Sequence, residues 1–172
     1  ESIAAIEAKL IRVVRARERI SRVELSRELK IAPSTAGIYV DRLIEEKFLL
    51  ESEKAEKRFG RPATMLALNP KGGRFVGVDF EARNIMATAV DFSQEPLQQA
   101  HVTIRGKDSA EEILNRIEQT IERVIANSSL PVLGIGVGVP GAIDPATGVA
   151  VHYPFIRGWQ NIPLGARLRD RF

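Results

Sequence analysis

The sequence contains no cysteine, so it has no disulfide framework and no thiolate ligand for zinc. Histidine is nearly as scarce, with two in 172 residues, and no H-E-x-x-H pair is present to seat a catalytic metal. Long hydrophobic runs are missing as well. The longest, Val132 to Ile143, is broken by four glycines and a proline and is too short to cross a bilayer. No Walker phosphate loop occurs, and no arrangement of Ser, His and Asp is selected by spacing. Disorder is excluded by a composition of 44% hydrophobic and 27% charged residues. What remains is a globular chain, expected in the cytoplasm, long enough for one domain or for a small domain and part of a larger one. Its first residue is Glu1 rather than Met, which leads to the expectation that the start is missing.

Charge is unevenly spread. Residues 1–72 carry 15 Lys and Arg against 11 Asp and Glu, net +4, whereas residues 73–172 carry 10 against 11, net −1. A small basic module joined to a near-neutral one is the pattern of a nucleic-acid binder with a separate sensing or oligomerising part.

Within the basic module, Ile3, Ile6, Leu10 and Val13 recur at helical spacing, so residues 2–17 read as an amphipathic helix whose end is rich in arginine. Ser21-Arg22-Val23-Glu24 is a capping box, with Ile20 and Leu25 placed as a hydrophobic staple, and a second helix is predicted from Arg22 to Leu29. Pro33 suits the first turn of a third helix reaching Lys47. That helix buries Ala36, Val40, Leu43 and Ile44, and leaves Ser34, Thr35, Gly37, Ile38, Asp41 and Arg42 on or beside its outer face. Two helices across a tight turn form a helix-turn-helix, whose second member enters the major groove; the alternative is a three-helix bundle that binds nothing. Two short strands, Phe48–Ser52 and Thr64–Leu68, flank a polar loop with Lys54, Lys57, Arg58 and Arg61, as in the hairpin of a winged helix. An arginine beside Gly60 and Pro62 suits a narrow A·T minor groove, against the alternative of a solvated charged turn.

The following residues read as strands at Phe75–Phe80, Ile85–Phe92 and Leu97–Ile104, then a helix over Ser109–Asn127 with one apolar stripe, then a strand over Val132–Val139. A mixed sheet with a crossover helix is expected. Gly134, Gly136 and Gly138 leave one face of the last strand as bare backbone. Gly136 to Gly141 satisfies G-x-G-x-x-G, but Pro140-Gly141-Ala142-Ile143-Asp144-Pro145 reads as a turn where a dinucleotide site needs a helix, so that site is rejected. His101 is expected on the surface, Trp159 in packing, and His152 with Tyr153 in an irregular segment.

Taken together, these residues resemble the ROK family, which comprises bacterial sugar-responsive repressors and sugar kinases on an actin-like ATPase fold. The resemblance rests on Ile20 to Ile44, on Gly60-Arg61-Pro62, on Gly136 to Asp144 with Gly148, and on Gly158-Trp159 with Asn161-Ile162-Pro163-Leu164. It implies a mixed α+β and α/β architecture: a winged helix-turn-helix at residues 1–72, then the N-terminal lobe of an actin-like, ribonuclease H-like mixed sheet at residues 73–172, truncated at its C-terminal side. It also implies that Pro140, Gly141, His152 and Asn161 belong to an effector pocket, with Phe155 where kinases commonly carry Asn. The family's catalytic Asp, its sugar-contacting Glu and His, and its zinc motif are expected beyond Phe172, so no cofactor is expected in this chain.

In family kinases the first strand runs into an Asp-x-Gly-Gly-Thr turn that holds ATP phosphates; here the positions read Asp79, Phe80, Glu81, Ala82 and Arg83. The reading is therefore a non-enzymatic, sugar-responsive repressor that binds double-stranded DNA, expected as a homodimer or higher homo-oligomer away from membranes. Its DNA contacts are expected from Ser34, Thr35, Gly37, Ile38, Arg42, Lys57, Arg58 and Arg61. The alternatives are a sugar kinase carrying a DNA-binding module, and a protein-interaction module that binds no DNA.

Overall fold

The computed structural model describes residues 2–53, 64–81 and 83–172. The chain divides into two compact units, residues 1–73 with 91–95, and residues 74–90 with 96–172.

In the first unit, α1 (Ile3–Arg17) is followed by β1 (Ile20–Ser21), α2 (Arg22–Leu29), α3 (Pro33–Glu45), β2 (Leu49–Glu53) and β3 (Thr64–Leu68). The start of α2 is set by the capping box: the Ser21 hydroxyl accepts from the Glu24 N–H, and the Ser21 N–H donates to the Glu24 carboxylate at 2.9 Å. Lys30 closes α2 in the left-handed conformation, φ 54°, and Pro33 opens α3 three residues later. Leu10 and Val14 of α1, Leu25 of α2, Val40 and Leu43 of α3, and Ile20, Leu49 and Leu66 from the strands form one buried core. Ile20 and Leu25, the two members of the staple, both lie inside it. The strands form an antiparallel sheet in the order β1-β3-β2. β1 was not foreseen, because a two-residue strand has no periodicity to read; it exists through its pairing with Leu66 and Met65.

The second unit contains β4 (Arg74–Phe80), β5 (Asn84–Asp91), β6 (Pro96–Thr103), α4 (Ala110–Ile125) and β7 (Val132–Gly138). Its main sheet runs β6-β5-β4-β7, with β7 parallel to β4 and β6 antiparallel to β5. β4 alternates strictly between buried and exposed residues, and Val76, Val78 and Phe80 meet Ile113, Leu114, Ile117 and Ile121 of α4. Ser109 caps α4 in a second capping box with Glu112.

The last forty residues carry more structure than their sequence indicates. β8 (Ala142–Asp144), β9 (Val149–His152) and β10 (Gln160–Ile162) make a small antiparallel sheet, and α5 (Leu164–Arg171) follows. The segment read as a turn thus includes a strand, and His152, read as irregular, closes β9. Asp144 organises the β8–β9 hairpin by accepting from the Ala146 N–H at 3.0 Å and the Thr147 hydroxyl at 2.7 Å, bonds that hold its carboxyl below the usual range. Gly148 and Gly165 pack backbone to backbone, the Gly165 N–H donating to the Gly148 carbonyl at 2.9 Å. Two α5 arginines then clamp α4. Arg167 binds Glu118 and chelates Glu111 at 2.8 and 2.9 Å, and Arg171 reaches Glu118 at 2.6 Å and Glu122 at 2.6 Å. Glu118 is buried, and these carboxylates push the Arg167 guanidinium pKa up.

No described helix is long and apolar enough to cross a membrane.

Candidate nucleic-acid interface and effector turn

In the first unit α2 and α3 meet across Lys30, Ile31 and Ala32, and the outer face of α3 presents Ser34 and Ile38, both exposed, with Thr35 and Gly37 partly exposed beside them. Ala36, Val40 and Leu43, on the opposite face, are fully buried. The spacing of the buried positions is what sets this orientation. Ile38 is 69% exposed, more than Ile3 at 53% or Val23 at 51% in the same unit.

Arg42 lies on the same helix, but it is occupied. Its Nε lies 3.0 Å from Glu46 and 3.3 Å from Glu7 of α1, and these carboxylates raise its pKa. Asp41 is likewise engaged, at 2.6 Å from Arg22, which also binds Glu51 at 2.7 Å and so ties α2 to α3 and β2. The C-terminal half of the α3 surface is therefore a set of internal ion pairs, and its N-terminal half is left open.

Two cations that the sequence did not single out precede that open half. Arg27, in the last turn of α2, and Lys30, at its C-cap, are exposed and make no ion pair with a described residue. A helix C-terminus is the expected place for such residues whether or not they bind anything, which is why the sequence alone gave no signal. Lys57, Arg58 and Arg61 lie outside the described residues.

In the second unit the four expected effector residues converge on the small sheet. Gly141 has φ +86°, and a Cβ there would run into the His152 carbonyl oxygen and approach Tyr153 Cβ to 3.2 Å. Ala142 pairs with His152, and His152 pairs with Gln160. Asn161 follows in β10 with φ +51°, and Pro140 precedes the turn, partly buried. His152, Gly141 and Asn161 are exposed. Beside them Tyr153 meets Phe155 edge to face at 5.4 Å, and Phe155 is 81% exposed. Trp159 is buried and packs against Phe80 at 5.0 Å. A separate cavity of about 400 Å³ lies between β7 and α5, lined mainly by apolar side chains such as Ile135, Leu164 and Leu168.

The outer face of β4 and β7 is nearly bare. Phe75, Gly77 and Asp79 stand beside Gly134, Gly136 and Gly138, and a Cβ on Gly138 would contact the Asp79 carboxylate at 3.5 Å. Glu81 and Arg83 are exposed at the end of β4; Ala82 lies outside the described residues. Glu81 thus carries a side chain at a position where phosphate-binding turns of this type use glycine to bring backbone N–H groups close to the anion. Among the described residues no group of three or more His, Asp or Glu could hold a metal ion.

A mixed α/β sheet with its crossover helix and a glycine-lined strand running into the Pro140-Gly141 turn defines the class. The ROK family model matches residues 75–172, and the chain belongs to that family. It is 26% identical to the xylose repressor of Caldicellulosiruptor bescii over 156 residues, 89% of this chain and 39% of that protein. It is also 26% identical to the DNA-binding transcriptional dual regulator NagC of Escherichia coli K12, again over 89% of this chain and 38% of that protein. The chain thus spans about two fifths of the length of these curated relatives. A crystal structure of a ROK family transcriptional regulator, a homologue of the E. coli MLC protein, superposes with a TM-score of 0.73 over 95% of this chain and 42% of that one. At 20% identity it shows a shared fold.

Proposed function

We propose that the chain is the DNA-binding and first sensing part of a sugar-responsive transcriptional repressor that acts without catalysis in the cytoplasm. In this reading residues 1–72 form a winged helix-turn-helix, with α3 in the major groove and the β2–β3 connection as its wing. The observation that carries it is the open N-terminal face of α3, Ser34, Thr35, Gly37 and Ile38, with the exposed cations Arg27 and Lys30, which form no ion pair with a described residue, at the end of the preceding helix in a module of net charge +4. Arg27 and Lys30 suit phosphates, which fix register, while the α3 side chains suit base edges. Arg42, engaged by Glu7 and Glu46, acts by holding α3 against α1. Lys57, Arg58 and Arg61 are assigned to the wing on sequence alone. Relatives named as a xylose repressor and as a DNA-binding transcriptional dual regulator support the same reading.

The effector is a sugar or sugar derivative, met in part by Pro140, Gly141, His152 and Asn161, and the protein works as a homo-oligomer. Glu81 weighs against the alternative of a sugar kinase, because its carboxylate repels a triphosphate and its side chain stands where a glycine would let the amides approach, while Arg83 is a nearby cation that could offset that charge. The test is retention of duplex DNA by the chain at low ionic strength, with loss of retention when Ser34 and Thr35 are both replaced by Glu. Failure to retain any duplex, or retention that ignores the double substitution, removes α3 from the interface.

A further inference from the structure

Gly37 has no internal explanation. It stands in the middle of α3, where glycine costs about 1 kcal/mol relative to alanine, and a Cβ built on it meets nothing within 4 Å. No neighbouring side chain or backbone needs its small size. Beside it is Ile38, 69% exposed and branched at Cβ. The longer polar side chains of this helix are already paired in the free protein: Arg42, half exposed, with Glu7 and Glu46, and Asp41 with Arg22, so each must leave a partner to reach a base. The open face consists of two small hydroxyl side chains, a missing side chain and an aliphatic one.

Such a face cannot make the bidentate contacts by which arginine selects guanine or asparagine selects adenine. Its most distinctive surface is apolar. In the major groove the one apolar group on a base edge is the C5-methyl of thymine. We infer that α3 specifies thymine at one step of its site through contact of Ile38 with the C5-methyl, the absence of a side chain at Gly37 letting the helix seat close enough to make it. This inference rests on the proposal that α3 occupies the major groove. It adds the base and the chemical group that are read.

The experiment uses the full chain. A randomised duplex pool is selected for binding, and each thymine of the selected duplex is replaced singly by deoxyuridine, which removes only the C5-methyl. Burial of one such group corresponds to about a fourfold change in affinity. At one thymine of the site, the wild-type chain is expected to bind the uracil duplex about fourfold more weakly. Ile38→Ala is expected to bind the thymine and uracil duplexes equally, and Ile38→Val to keep part of the difference. Gly37→Ala is expected to raise the thermal midpoint of the first unit while weakening DNA binding, an opposition that misfolding could not produce. Equal binding of every uracil duplex by the wild type overturns the inference, as does discrimination that survives in Ile38→Ala, or a Gly37→Ala variant that binds as the wild type does. If the pool yields no bound duplex at all, the DNA-binding reading itself fails, a result distinct from binding without a methyl effect.

Discussion

The substitution Gly141→Ala tests how the effector turn is built. At φ +86° a β-carbon is strained whatever the space around it, a cost of about 1–2 kcal/mol. Here there is also no space: the new methyl would overlap the His152 carbonyl oxygen and crowd Tyr153 Cβ. That oxygen belongs to β9, which is paired on both sides, to β8 and to β10, so relief requires the whole small sheet to shift. Overpacking of this kind costs about 1–3 kcal/mol, and the two terms together give about 2–5 kcal/mol for the second unit. A domain of this size loses roughly 10 °C or more in Tm for such a change. The control is Gly136→Ala, where a Cβ meets nothing within 4 Å and φ is not positive; it should be close to neutral. Thermal unfolding followed by far-UV circular dichroism is the assay, with the Trp159 fluorescence, buried in this unit, as an independent probe. If Gly141→Ala and Gly136→Ala unfold within about 2 °C of each other, the turn is not packed against β9 and the account of the effector turn fails.

Removing the Ser21 hydroxyl by Ser21→Ala should destabilise the first unit by about 1 kcal/mol in urea denaturation. The hydroxyl and N–H of Ser21 hold the Glu24 carboxyl below its ordinary range, and Ser109, chiefly through its N–H, does the same for Glu112. With the folded value depressed, this stabilisation is present above the ordinary glutamate range and is lost as pH falls through the depressed folded value; a Ser21→Ala variant should show a shallower acid limb. Replacing buried Glu118 by Gln leaves Arg167 and Arg171 without their shared partner, and should cost the second unit about 2 kcal/mol, below the fully buried case because both arginines reach solvent; an unchanged midpoint would refute the clamp. Titration with Mg-ATP by calorimetry should show no saturable binding, given Glu81 at the end of β4.

Much of the fold was legible because it repeats over many residues. The apolar positions of α1, α3 and α4 recur often enough to define a buried face, and the Ser21–Glu24 capping box marks the start of α2, whereas the second box, Ser109 with Glu112, emerged only in the structure. The strictly alternating β4 and the glycine-rich β7 were legible for the same reason. What was missed is short. β1, β8 and β10 have two or three residues each, and owe their existence to pairing, β1 with distant β3 and β8 and β10 with nearby β9, rather than to any periodic pattern of their own. α5 contributes only Leu164 and Leu168 to the core, and its remaining anchors are ion pairs to α4 that no periodicity encodes. The candidate site divides the same way. Exposure of Ser34 and Ile38 followed from helical phase, whereas the capture of Arg42 by Glu7 depends on how α1 crosses α3, and the exposure of Arg27 and Lys30 depends on what folds nearby.

The central claim is that the first unit holds DNA by phosphate contacts that position α3. Its most direct test is the salt dependence of binding to a selected duplex, followed by fluorescence anisotropy for the wild-type chain and for Arg27→Ala and Lys30→Ala. The account predicts that log Kd rises linearly with log salt, and that each variant lowers the slope by about 0.9, one released counterion per lost phosphate contact. Binding that is absent at about 50 mM salt, or present with a slope that neither variant changes, would contradict it.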